Sequence, residues 1–96
     1  MLGKRICEIR TAMGWSQVDL AKRLGVAKQT VSNWENDNIQ PSVEMLVRVA
    51  KILNVTTDYL LGLDETVYLN VQGLPAEIVA HLSLLIEDYR ALCRKE

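Results

Sequence analysis

The chain has 96 residues, a formal net charge of −1, two cysteines and one histidine. That length suits one domain plus an appendage, and with no apolar run of about 18 residues and no signal peptide the expectation is a cytoplasmic protein, not a membrane or exported one. Cys7, Cys93 and His81 are too few and too scattered for a metal site, and no glycine-rich phosphate loop or catalytic triad set is present, so neither a cofactor nor an enzyme is expected. The charge is uneven: eight Lys or Arg stand against six Asp or Glu through Gly62, and three against six from Leu63 onward. The basic half is where a nucleic-acid contact is expected.

In chain order, Leu2, Ile6, Ile9 and Met13 make an apolar stripe that predicts a first helix from about Leu2 to Met13, with Lys4, Arg5 and Glu8 outward and Arg10 beside the stripe. Gly14 ends it and Trp15 is expected to cover the join. Ser16 then reads as an N-cap with Asp19 three residues on, followed by Leu20, Ala21 and Leu24 at helical spacing and Gly25 at the exit. Lys22 and Arg23 fall on the outer, solvated face of that second helix.

A third helix is predicted from Lys28 to Asn36. At about 100° per residue its faces separate. Ala27, Val31 and Trp34 fall on a core side, and Lys28, Gln29, Ser32, Asn33 and Asn36 on the other. The second face holds amides, a hydroxyl and an ammonium with no carboxylate. Gln and Asn pair bidentately with adenine edges and Lys with guanine acceptors, so this face suits the DNA major groove. A merely solvated polar face is the alternative from these residues alone. Ala27 lacks the oxygen of a good N-cap, which either weakens the start of the helix or leaves its amides for a phosphate. The loop Asp37-Asn38-Ile39-Gln40-Pro41 carries no cation.

A fourth helix should run from Ser42 to Leu53, burying Leu46, Val49, Ala50 and Leu53, with Met45 and Ile52 as a second apolar edge. A short fifth, Thr57 to Leu61, is capped by Thr56 and Gly62. Beyond it, Val67, Leu69 and Val71 alternate with Tyr68 and Asn70, a period-two pattern that predicts a strand from Thr66 to Val71. A lone strand must pair, most simply with its copy in a second subunit. From Ala76 to Arg94, Ile78, Leu82, Leu85, Tyr89 and Leu92 repeat at steps of four and three, a heptad seam widened by Val79, Ile86 and Cys93. Such a helix either dimerises or folds back on its own domain.

Residues 2–62 resemble the Cro/C1-type, XRE-like helix-turn-helix regulators. The likeness rests on Arg10, Gly14-Trp15-Ser16-Gln17, Leu20-Ala21, Leu24-Gly25-Val26, Val31-Ser32, Trp34-Glu35-Asn36, Pro41, Leu53-Asn54-Val55 and Asp58-Tyr59-Leu60-Leu61-Gly62. The resemblance implies a mainly α fold: a five-helix lambda-repressor-like DNA-binding domain over 1–62, followed over 63–96 by the strand and a C-terminal dimerisation helix. It implies double-stranded DNA as partner, Gln29 and Asn33 as base readers, Lys28 and Ser32 on base or backbone, and Gln17 and Asn36 on phosphates. It also implies an Arg10–Glu35 ion pair between the first and third helices. The function expected is a homodimeric repressor reading a palindromic operator; the alternative is an interaction module, such as an antitoxin, whose tail binds a second protein.

Overall fold

A computed structural model describes residues 2–94. Six helices follow in order: α1 Leu2–Ala12, α2 Gln17–Leu24, α3 Lys28–Glu35, α4 Val43–Leu53, α5 Thr57–Leu60 and α6 Ala76–Arg94. Helices α1 to α5 form the packed body. Its core joins Leu2 and Ile6 of α1, Leu20, Ala21 and Leu24 of α2, Val31 and Trp34 of α3, Val49, Ala50 and Leu53 of α4, with Val55 and Leu60.

The helix ends follow from local chemistry. The Asp19 N–H donates to Ser16 Oγ at 3.0 Å and the Ser16 N–H donates to Asp19 Oδ2 at 2.8 Å, a reciprocal box that starts α2. That backbone bond, reinforced by the Ser16 hydroxyl, lowers the Asp19 pKa. Gly25 leaves α2 at φ 73°, a left-handed turn cheap only for glycine. Asn54 ends α4 in the same region at φ 57°, where asparagine is tolerated. Ser42 and Thr56 cap α4 and α5 through Met45 N–H and Tyr59 N–H.

The short turn after α2 sets α3 across it, and α1 closes over the far end of α3. That closure needs Gly3, which is buried: a Cβ there would lie 2.4 Å from the Trp34 carbonyl oxygen and 2.6 Å from that of Glu35. Only a bare backbone lets the two helices approach this closely.

Several expectations are corrected. No strand occurs among the described residues, and 66–71 is an irregular segment instead. Within one chain it has no strand to pair with, and side chains take up backbone donors: Thr66 N–H bonds Asp64 Oδ1, Asn70 N–H bonds Asn54 Oδ1 and Gln72 N–H bonds Asn70 Oδ1. Ala27 is exposed, because as N-cap its extended backbone lies off the helical wheel. Met13 is exposed past the end of α1, and Arg5, expected outward, is half-buried. Met45 and Ile52 lean onto the core, so its arc on α4 is wider than four residues.

Candidate nucleic-acid interface

Two elements build the candidate surface: the start of α2 and the outward face of α3. On α3, Lys28, Gln29 and Asn36 are exposed, and Ser32 and Asn33 are partly so. Val31 and Trp34 on the opposite side are buried and hold the helix to the body. The polar side chains are ordered by one another across single helical turns. Gln29 Nε2 donates to Asn33 Oδ1 at 3.0 Å, and Asn36 Nδ2 donates to Ser32 Oγ at 3.3 Å. The first bond uses one Gln29 donor and one Asn33 acceptor, so a Gln29 carbonyl and an Asn33 amide nitrogen remain for a base edge. No side-chain oxygen caps α3 at Ala27; Thr30 N–H turns back to the Ala27 carbonyl at 3.0 Å, and the N–H groups of Lys28 and Gln29 lie at the positive end of the helix dipole.

One carboxylate lies on α3, and it is turned inward. Glu35 Oε2 accepts from Arg10 Nε at 2.6 Å and Oε1 from Arg10 Nη2 at 3.0 Å, with both side chains below a tenth exposed. Two further Arg10 donors reach the Trp15 carbonyl at 2.6 Å and Cys7 Sγ at 3.6 Å. Gln17 Nε2 completes the group by donating to Glu35 Oε1 at 3.0 Å. Burial pushes the Glu35 pKa up, but the bonds from Arg10 and Gln17 and the Arg10 charge outweigh it and hold the carboxyl below its usual range. The bond to Glu35 raises Arg10 against its own desolvation. An acid that would repel phosphate is thereby neutralised, and three elements meet at one point.

The same buried group orients Gln17 at the first position of α2, beside the N-terminal amides of that helix. Lys22 and Arg23 are exposed, with the Arg23 guanidinium 4.0 Å over the Trp15 ring. In the loop after α3, Asp37 takes φ 57° and its Oδ1 accepts from the Gly3 N–H at 3.1 Å. That link escaped the sequence reading, although a glycine in the first turn of an otherwise regular helix was its signal.

Sequence comparison decides what this surface is related to. A model of the helix-turn-helix family matches residues 7–60, more than half of the chain. The chain belongs to the helix-turn-helix family. Its similarity extends to the HTH-type transcriptional regulator ImmR of Bacillus subtilis, 41% identical over 64 residues, which are 67% of this chain and 50% of ImmR. Among solved structures, the P22 c2 repressor bound to a synthetic operator superposes with TM-score 0.64 at 34% identity, over 67% of this chain and 97% of that one. A chain of the SinR–SinI protein complex matches over 100% of both chains, with TM-score 0.61 and 27% identity. The helix-turn-helix family is one of DNA-binding transcriptional regulators, which are not enzymes.

The tail is built differently. No residue of α6 is buried. Val67, Leu69, Ile78, Leu82, Leu85, Tyr89 and Leu92 are all exposed, and Val71 is half-buried. Between segment 66–71 and α6 lies an open apolar cleft of about 480 Å³, lined by Val67, Leu69, Val71, Val79, Leu82 and Ile86 among others. No helix among the described residues is long and apolar enough to cross a membrane.

Proposed function

We propose that this chain is a cytoplasmic, homodimeric transcriptional repressor that reads a palindromic operator through the major groove. The observation that carries the reading is the outward face of α3, polar, carboxylate-free and internally hydrogen-bonded, with the helix's one acid buried against Arg10. Gln29 and Asn33 read base edges, Lys28 and Ser32 read bases or position the backbone, and Gln17 and Asn36 clamp phosphates. The amides at the starts of α2 and α3 add phosphate donors. The body, residues 1–62, carries an excess of only two positive charges. A modest electrostatic term makes a second copy valuable, because doubling the contacts raises affinity far more than any single one. The tail, residues 63–96, supplies that pairing through the exposed seam of Ile78, Leu82, Leu85, Tyr89 and Leu92 together with Val67, Leu69 and Val71. Apolar exposure on this scale is the usual mark of an interface.

Selection from random double-stranded DNA with the full chain tests the reading. The expected product is a two-fold repeated half-site with centres one helical turn, roughly 34 Å, apart. Recovery of no enriched motif overturns it. A second reading, in which the tail engages a different protein, is favoured by the whole-chain likeness to the SinR–SinI complex. It predicts a chain that stays monomeric until that protein is added.

A further inference from the structure

We propose that Arg5 and Asn54 fasten the segment leaving the body and thereby set the half-site spacing that the protein accepts. The inference rests on the dimeric reading above and adds a specificity-determining device to it. Arg5 sits on α1, and its side chain is only 14% exposed. Its guanidinium lies 4.5 Å over the Tyr59 ring. Nη1 donates to the Tyr59 carbonyl at 2.7 Å and, at a long 3.5 Å, to that of Asp64, while Nη2 reaches Glu65 Oε1 at 3.3 Å. The Glu65 contact is the weak one, since that carboxylate is 89% exposed and screened by water and salt. The part-buried carbonyl bond and the ring contact hold Arg5, and Arg5 holds the chain where it turns away from α5.

The second fastening lies further along. Asn54, the left-handed cap of α4, accepts the Asn70 N–H on its Oδ1 at 3.1 Å. Between the two points Leu63 N–H bonds the Asp58 carbonyl at 2.9 Å and Thr66 N–H bonds Asp64 Oδ1 at 2.9 Å. The exit segment is thus strapped to the body at its beginning and near its end, although most of its side chains face water.

Magnitudes say why this matters for reading DNA. The nine residues from Leu63 to Val71, if free, would span a root-mean-square distance of roughly 15–18 Å with wide variation. One base pair advances the duplex by about 3.4 Å and turns it by about a tenth of a helical turn. A loose exit would therefore let two α3 helices reach half-sites several base pairs nearer or farther. A strapped exit holds α3 and the pairing element in one geometry, so a wrong spacing costs the second half-site.

The test uses the full chain, Arg5→Ala, Asn54→Gly and the double variant, each measured on the operator selected by the unsubstituted protein and on versions with its central spacer changed by one to three base pairs. Asn54→Gly keeps the left-handed cap and removes only the side-chain acceptor. The unsubstituted protein should lose roughly tenfold or more in affinity at altered spacings, and the double variant less than about threefold, while light scattering still reports a dimer. Should Arg5→Ala unfold, Asn54→Gly alone decides the matter. A folded, dimeric variant with the original spacing dependence overturns the proposal. An unsubstituted chain that is dimeric yet indifferent to spacing overturns the proposal alone, whereas one that is monomeric overturns the dimeric reading as well, and light scattering distinguishes the two.

Discussion

Helices α1 and α6 are both amphipathic, yet α1 buries Leu2, Ile6 and Arg10 whereas α6, eight residues longer, buries nothing. The stripe of α1 meets α3 and α5 of its own chain. The stripe of α6 meets solvent, and an exposed apolar seam of that length is the usual mark of an interaction surface. Amphipathic spacing therefore tells that a helix has an inner face but not whose interior it belongs to. In the body the answer is written in short turns and in residues such as Gly3 and Gly25, which bring helices back onto one another. In the tail an irregular segment leads to α6, none of whose residues is buried.

The body is broken most severely at its buried ion pair. Glu35→Ala leaves the Arg10 guanidinium without its partner in a site below a tenth exposed, which should cost about 3–5 kcal/mol of stability in urea unfolding. Acid should attack the same pair. Because the folded Glu35 carboxyl titrates below its unfolded value of about 4.3, its contribution is complete above that pH and is lost as pH falls through the folded value. Stability should thus decline in acid, and Glu35→Gln should flatten that limb.

Next comes a direct contrast of the two regions by truncation to alanine. Leu53 is fully buried, and Leu53→Ala should cost about 2–5 kcal/mol at any protein concentration. Leu85 is 66% exposed, so Leu85→Ala should leave the body's unfolding unchanged and show its effect only as weaker self-association on dilution. A concentration-independent loss at Leu85 of similar size would place α6 in the body after all.

The α3 surface gives smaller and more specific effects. Gln29→Ala should remove about 1–3 kcal/mol of discrimination at one operator position while leaving folding intact. Lys28→Ala should reduce the slope of log affinity against log salt by about 1, with an even loss across sequences if Lys28 positions the backbone and a loss at one operator position if it reads a base.

Much of the body was legible in the residues. The Ser16–Asp19 box, Gly25, and the split of α3 into a buried Val31–Trp34 side and a polar side each rest on a local rule, and local rules survive without tertiary context. What stayed hidden is what depends on distant parts meeting. Arg5 looks like a surface cation in α1 until Tyr59 and Asp64, more than fifty residues away, arrive beside it. Ala27 was misjudged because a helical wheel was extended onto a cap residue. The period-two pattern of 66–71 gave no strand, because a strand is a relation between two segments and one chain supplies one. The Glu35–Gln17 bond joins residues eighteen positions apart, and no spacing rule foretells it.

The most direct test of the division between a DNA-reading body and a pairing tail is the mass in solution, by light scattering, of the full chain and of a chain ending at Gly62. The account predicts a dimer for the first and a folded monomer for the second, the shorter chain melting as the body does and binding a single half-site weakly. A full chain that is monomeric at concentrations well above those of operator binding would contradict it.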